Sequence, residues 1–279
     1  MRYSLSLFFA LVCATIAFAQ TSKREVAKLR IQAAIDSKQP MVAHIFVPLC
    51  DNENQGIVPT SASLGNGLSL RSNLYWATSK GMKRYFVEQS DWTLMHSAKD
   101  VSPDILERVV FKKVYANGAQ VHLVIDAWRG DRMKACLDTY FKSLSGIHQE
   151  QVAYKDGEQQ VILPLGGKAH LLGFNGHNGL MDTELGWPTQ KNKHQIDAVV
   201  IACASASYFC PRIQLAGGYP LVTTTSLLFP GAPVMEFIVD AWATQKSEEV
   251  IKNAAGDGYH AMKPKVSTNA ARNMFSTGY

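Results

Sequence analysis

The sequence lacks the motifs that mark several large classes of protein. Its 279 residues contain no block of five or six like charges, and the formal net charge is only +5, which argues against nucleic-acid binding. No C-x-x-C or H-x-x-x-H spacing of the kind that binds zinc occurs. Neither a G-x-G-x-x-G motif nor a phosphate-binding loop is present. We therefore expect no cofactor, no metal centre and no nucleic-acid partner.

The composition also excludes a disordered chain. Charged residues make up 18% of the sequence and hydrophobic residues 47%, which is typical of a globular protein with a sizeable core. No internal repeat, low-complexity tract or Pro/Gly/Ser-rich linker divides the chain. We expect a single domain over residues 20–279.

The one long apolar run lies at the N-terminus. It extends from Leu5 to Phe18, follows Arg2, and ends with Ala17 and Ala19 at the −3 and −1 positions of a signal-peptidase site. The run is shorter than the ~20 residues that span a bilayer. We therefore predict a cleaved signal peptide over residues 1–19 and a periplasmic or secreted protein that is not bound to the membrane. Loss of Arg2 lowers the formal net charge by one, to +4.

Four cysteines follow the predicted signal peptide: Cys50, Cys136, Cys203 and Cys210. In an oxidising compartment they allow two disulfides in three alternative pairings, among which the sequence does not choose. A domain of this size does not need disulfides for stability. We expect at least one of the four thiols to have another role.

Apolar strand-like runs alternate with amphipathic segments along the chain. Met41 to Leu49 reads as a central strand buried on both faces, and Ala198 to Ala202 as a second buried strand. Met133 to Leu144 is predicted to be a helix ending at Gly146, and residues 205–216 a crossover helix despite Pro211. This alternation predicts an α/β domain with a largely parallel sheet and flanking helices.

Two other segments carry more local predictions. Asn117-Gly118 joins the runs Val109–Tyr115 and Gln120–Trp128, which favours a β-hairpin. The alternative is that the first run is the end of a helix that starts near Pro103. Residues 73–87 are predicted to form a helix capped by Asn73 or Ser72.

Polar residues follow the predicted strands at their carboxyl ends, where sites form in open α/β sheets. Among them, His177 and Cys203 follow two successive strands. Neighbouring strands lie ~4.8 Å apart, so the two side chains are expected to lie near each other. A cysteine nucleophile needs such a histidine to accept its proton. We predict Cys203 as nucleophile and His177 as general acid/base.

Other strand-end residues supply the remaining parts of such a site. The expected donors to an oxyanion are the backbone N–H of Gly179, or alternatively that of Asn178, and the backbone N–H of Cys203. A position at the start of a helix favours the Cys203 thiolate. Candidate substrate-binding residues at neighbouring strand ends are Asp51, Asp126 and Arg129.

The segments Phe174-Asn175-Gly176-His177-Asn178-Gly179 and Val199-Val200-Ile201-Ala202-Cys203-Ala204-Ser205 resemble the catalytic region of caspase-like cysteine peptidases, the group of legumains, gingipains, clostripains and caspases. The resemblance covers about residues 168–226. It implies a caspase-like three-layer sandwich, a Cys203/His177 dyad with Gly179 and Cys203 as oxyanion donors, and a peptide or protein substrate. In that group glycine usually follows the histidine directly, whereas here Asn178 intervenes.

Two other interpretations remain open at this stage. Cys203 at the end of a buried strand is also typical of a core residue or half of a disulfide. The protein is then a non-catalytic exported α/β protein that binds a peptide or small ligand at the same edge. A serine hydrolase is disfavoured, because no G-x-S-x-G motif occurs.

Overall fold

A computed structural model describes residues 24–279, so the predicted signal peptide lies outside the described residues. The strands are β1 (Met41–Pro48), β2 (Thr93–Lys99), β3 (Ile105–Val114), β4 (Gln120–Trp128), β5 (Gln149–Asp156), β6 (Gln159–Gly166), β7 (Leu171–Asn175), β8 (Asp197–Ile201), β9 (Tyr219–Thr224) and β10 (Phe275–Ser276). The α-helices are α1 (Glu25–Asp36), α2 (Met82–Glu88), α3 (Met133–Leu144), α4 (Ser205–Ala216), α5 (Ala232–Ala243), α6 (Glu248–Met262) and α7 (Thr268–Arg272).

Eight of the strands form one mixed sheet in the order β10-β9-β8-β7-β1-β4-β3-β2. The five central strands, from β9 to β4, run parallel, and the strands at both edges are antiparallel to their neighbours. All eight residues of β1 are buried, which confirms the predicted central strand. The carboxyl ends of the parallel strands therefore share one edge of the sheet.

Helices cover both faces of the sheet and give a three-layer α/β arrangement. On one face, Ile31 of α1, Phe86 of α2 and Ile238 of α5 join the core formed with Ile45 of β1. On the other face, α3, α4 and the separate β5–β6 hairpin pack against the alternate side chains of the same strands. The predicted α/β class with a largely parallel sheet and flanking helices is confirmed.

Two predicted helices and one predicted hairpin match the structure closely. In each case a glycine adopts the positive φ that ends the helix or forms the turn. Helix α3 covers the predicted residues, and Gly146 beyond it has φ +75°. Helix α4 also covers the predicted residues, with Gly217 at φ +83°. Gly118 has φ +86° in the turn between β3 and β4. The hairpin prediction is confirmed, and the alternative helix tail does not form.

The predicted helix over residues 73–87 is wrong over most of its length. Helix α2 begins only at Met82, and turns precede it. The Asn73 side chain accepts a hydrogen bond from the Cys50 N–H (3.1 Å) and donates one to the Cys50 carbonyl oxygen (2.8 Å). Asn73 therefore ties this segment to the end of β1, a long-range contact that overrides local helix propensity.

The β5–β6 hairpin was not predicted, although its two-residue loop Gly157-Glu158 begins with glycine, as is typical of one class of hairpin turn. Gly157 is the first of its two loop residues and has φ +61°. Both strands are largely exposed on one side, so their hydrophobic pattern is weak. Within residues 24–279, no helix has both the length and the apolar composition needed to cross a membrane.

Candidate active site

His177 and Cys203 line the same cavity at the carboxyl edge of the sheet, which has a volume of about 430 Å³. Each lies two residues beyond its strand, His177 after β7 and Cys203 after β8, and the two strands are parallel neighbours. His177 is buried, and Cys203 is partly exposed. The Cys203 thiol donates a weak hydrogen bond to the carbonyl oxygen of Leu228, with Sγ and O 3.5 Å apart. The predicted pair therefore shares a cavity, but the thiol contacts Leu228 rather than His177 in this conformation.

Asp182 holds the imidazole of His177. Its carboxylate accepts a hydrogen bond from Nε2 of His177 and another from the backbone N–H of Gly56, at 2.9 Å. Because an ionised carboxylate only accepts hydrogen bonds, this contact assigns the ring proton to Nε2. Nδ1 is then the unprotonated nitrogen of the ring. Sequence reasoning missed Asp182, although it is the first acidic residue after His177.

Asn178 connects the histidine loop to the cysteine loop. Its side chain is fully buried. The Nδ2 amide donates to the Cys203 carbonyl oxygen at 2.7 Å, and Oδ1 accepts from the Leu180 N–H at 3.2 Å. The residue that departs from the caspase-like pattern thus has a defined structural role.

The chain turns sharply after Cys203 to enter α4. Ala204 adopts a left-handed conformation, with φ +46° and ψ +35°. The next residue, Ser205, donates from its hydroxyl to the Val200 carbonyl oxygen at 2.9 Å and from its N–H to Thr224 Oγ1 at 3.1 Å. These bonds hold the first turn of α4 against β8 and β9. Cys203 therefore lies at the N-terminal end of a helix, as the sequence predicts.

The two predicted oxyanion donors differ in their hydrogen bonding. The N–H of Gly179 donates to the His177 carbonyl oxygen at 3.0 Å. In this conformation it therefore already has an acceptor within its own loop and does not point a free N–H at an oxyanion. Gly176 lines the cavity, and its N–H donates a hydrogen bond to the carbonyl oxygen of Ile201 at 3.2 Å. Within residues 24–279, no acceptor is paired with the N–H of Cys203. Of Gly179 and Cys203, only Cys203 has a backbone N–H without an acceptor among the described residues.

The cysteines after the predicted signal peptide are all free thiols in the described structure. Burial raises the pKa of Cys50 to about 11, although a hydrogen bond with Tyr75 opposes the shift. Burial also raises the pKa of Cys136 and of Cys210. These three thiols are therefore less ionised at neutral pH than an ordinary cysteine.

The structure places the three candidate substrate-binding residues away from this cavity. Asp51 is buried and accepts hydrogen bonds from the backbone N–H groups of Glu53 (2.9 Å) and Asn54 (3.2 Å), which closes a loop. Arg129 pairs with Asp131 at the surface, with 2.8 Å between Nη2 and Oδ2. Neither residue lines the cavity that holds Cys203.

Asp126 is fully buried inside the protein rather than at the rim. Arg108 donates to both of its carboxylate oxygens at 2.6 Å, and Nε2 of His44 lies 2.9 Å from Oδ2. Burial alone would raise the pKa of Asp126, but Arg108 and His44 lower it below its ordinary value. Arg108 also donates to Glu150 at 3.0 and 3.1 Å.

The same cluster contains three side chains with metal-ligand atoms. Oxygen and nitrogen atoms of His44, Asp126 and Glu150 lie within 4.8 Å of one another. However, the Arg108 guanidinium already pairs with both carboxylates and offsets part of their charge. His44 Nδ1 accepts from the Gly166 N–H at 3.3 Å, so both of its ring nitrogens are in use. We therefore interpret the cluster as a structural ion-pair network.

Comparisons of the chain with protein-family models, with curated proteins and with solved structures gave no match. Any functional conclusion must therefore come from the side chains of the cavity. Cys203 and His177 line this cavity, and Asp182 lies beside it and accepts a hydrogen bond from His177.

Proposed function

We propose that the protein is a cysteine hydrolase that cleaves amide bonds in a peptide or protein substrate. The observation that carries this proposal is the shared cavity: His177 and Cys203 reach it from adjacent parallel strands, and Asp182 orients His177. The order of the histidine strand and the cysteine strand supports the resemblance to caspase-like peptidases. The signal-peptide pattern of residues 1–19 supports an exported enzyme.

The proposed reaction has two halves. Nδ1 of His177 takes the thiol proton, and the Cys203 sulfur attacks the carbonyl carbon of the amide. The protonated imidazole then gives its proton to the leaving nitrogen as the C–N bond breaks, which leaves a thioester. In the second half, His177 takes a proton from water, the hydroxyl adds to the thioester carbonyl, and the C–S bond breaks. The thiol recovers its proton and a carboxylic acid is released.

Each residue of the site has a role in these steps. Asp182 keeps the proton of His177 on Nε2 and stabilises the imidazolium. The N–H of Cys203 donates to the oxyanion. The thiol must turn from the Leu228 carbonyl toward His177 for the first step, and catalytic hydrogen bonds often tighten only when substrate binds.

The second candidate function is non-catalytic binding of a peptide or small ligand in the same cavity. The contact of the thiol with Leu228 rather than with His177 favours it. In that case His177 has no influence on the reactivity of Cys203. The two functions therefore differ in whether His177 changes the reactivity of the Cys203 thiol, which can be measured.

The experiment is alkylation of the native protein by iodoacetamide between pH 5 and 9, with each cysteine followed by mass spectrometry. For the hydrolase, we expect Cys203 to react at least about tenfold faster than Cys50 at pH 7. His177→Ala and Asp182→Asn should slow that reaction, whereas Glu184→Gln, on the same loop, should not. Equal rates in the wild type and His177→Ala would refute the hydrolase and leave the binding function.

A further inference from the structure

The wall of the cavity beside Cys203 is mainly apolar. Its apolar side chains include Ile57, Leu74, Met181, Leu228, Phe229 and Pro230. Among the described residues that line it, none is Asp, Glu, Lys or Arg. Lys263 lies outside the wall, with its ammonium 5.7 Å from the centre of the Phe229 ring. A charged group placed in this cavity would lose its hydration without gaining an ionic partner from the residues that line it, which makes its binding unfavourable.

The walls of the cavity are joined directly to the reacting groups. The loop that contains Ile57 is bonded to Asp182 through the Gly56 N–H. A Cβ at residue 56 would lie 2.3 Å from Oδ1 of Asp182, so only glycine permits this close approach. On another wall, the Leu228 carbonyl oxygen contacts the sulfur of Cys203. A side chain bound between these walls therefore lies next to both Cys203 and the partner of His177.

Apolar side chains also stand exposed near the mouth of the cavity. Val58 is 92% exposed, Leu227 72% and Met181 44%, and all three line the cavity. Exposed apolar side chains grouped around a pocket mark a surface that another apolar group covers. The volume of about 430 Å³ is ample for a large side chain, since a cavity of roughly 150 Å³ holds benzene.

We propose that this cavity is a specificity pocket for an uncharged apolar side chain of the substrate, such as leucine or phenylalanine, on the acyl side of the cleaved amide. The inference rests on the proposed hydrolase and adds its substrate class. It predicts that acidic and basic side chains at this position are rejected. The charged residues Asp51, Asp126 and Arg129 have no part in this selection, because they do not line the cavity.

The first test measures turnover of acetyl-Ala-Ala-X-aminomethylcoumarin peptides in which X is Leu, Phe, Asp or Lys. We expect kcat/KM for Leu or Phe to exceed that for Asp or Lys by about 100-fold, which corresponds to the cost of desolvating an unpaired charge. Val58→Glu and Ile57→Glu should raise the relative kcat/KM for the Lys peptide by about tenfold or more. Val58 is highly exposed, so its variant should fold normally. Val114→Glu, an exposed valine on β3, serves as the matched control.

The second test separates the pocket from the chemistry. Titration calorimetry with Cys203→Ser and the amides acetyl-Ala-Ala-X-NH₂ measures binding without cleavage. Tighter binding of the Leu or Phe peptide supports the pocket. Equal or tighter binding of the Asp or Lys peptide, or binding of none, overturns it. The alkylation experiment with His177→Ala tests the hydrolase proposal independently of the pocket. If only the pocket proposal is wrong, the peptide preference is lost while His177→Ala still slows alkylation of Cys203.

Discussion

The side-chain amide of Asn178 donates a 2.7 Å hydrogen bond to the backbone carbonyl oxygen of Cys203. This single side chain therefore links the loop after β7 to the loop after β8. The distance between His177 and Cys203 depends on how these two loops sit together. Glycine, the residue that usually follows the histidine in caspase-like peptidases, has no side chain to make this bond.

Asn178→Asp should weaken the site while keeping the size of the side chain. The variant replaces an N–H donor with a carboxylate oxygen that repels the Cys203 carbonyl. We expect the free energy of unfolding to fall by about 1–3 kcal/mol, and the alkylation of Cys203 to slow. Urea unfolding and iodoacetamide kinetics measure the two effects. Asn192→Asp is the control, because Asn192 donates a similar 3.0 Å bond to Gly167 away from the cavity; equal slowing in both variants would contradict the role of Asn178.

Elements with strong local patterns were predictable from the sequence. Helix α3 combines an amphipathic run with Gly146 at its end, and α4 ends at Gly217 in the same way. The separate β5–β6 hairpin was missed, because its strands carry few buried apolar side chains. Residues 73–81 form turns because the Asn73 side chain is hydrogen-bonded to the backbone of Cys50. A contact between residues so far apart in the sequence cannot be predicted from the local pattern of residues.

The positions of two residues of the candidate site could be predicted, because they depend only on the order of the strands that precede them. His177 and Cys203 follow adjacent parallel strands, and the structure puts them on one cavity. Asp182 belongs to an irregular loop, so its contact with His177 depends on the loop path rather than on periodicity. Asp126 lies within β4, and its direction toward Arg108 depends on which face of the sheet it occupies.

Asp126→Asn should be strongly destabilising and should leave substrate selection unchanged. It removes the charge that pairs with the buried Arg108 guanidinium, and breaking a buried pair from one side costs about 3–5 kcal/mol. Urea unfolding at pH 7 measures the loss. Asp131→Asn, which breaks the surface pair with Arg129, should have little effect. A folded Asp126→Asn variant with altered preference among the four peptides would restore Asp126 as a substrate-binding residue.

Ala204→Gly should increase stability, which is the opposite of the usual effect of glycine. Ala204 has φ +46° at the start of α4, a conformation that costs an L-residue roughly 1 kcal/mol. We expect the free energy of unfolding to rise by about 0.5–1 kcal/mol, since part of the gain is lost to the greater freedom of glycine in the unfolded chain. Ala206→Gly, within the same helix, should lower it by about 1 kcal/mol. A decrease in both variants would show that Ala204 is not strained.

His122 is a buried histidine with no hydrogen-bond partner among residues 24–279. It is 2% exposed on β4, and neither ring nitrogen is paired within the described residues. Burial, helped by the positive charge of Lys112, lowers its pKa to about 4. The ring is therefore neutral in the folded protein at neutral pH, and protonation favours the unfolded chain.

His122→Leu should make the protein more resistant to mild acid. The pKa of a free histidine is about 6.5, so between pH 6.5 and 4 the unfolded wild-type chain binds a proton at this residue that the folded chain does not. Wild-type stability is therefore present above pH 6.5 and falls as the pH drops toward 4, by on the order of 3 kcal/mol from this group. Urea unfolding at pH 7 and pH 4.5 should show a smaller loss in His122→Leu. His194→Leu, which removes an exposed loop histidine, should retain the wild-type loss; the same reduction in both variants would exclude His122 as the cause.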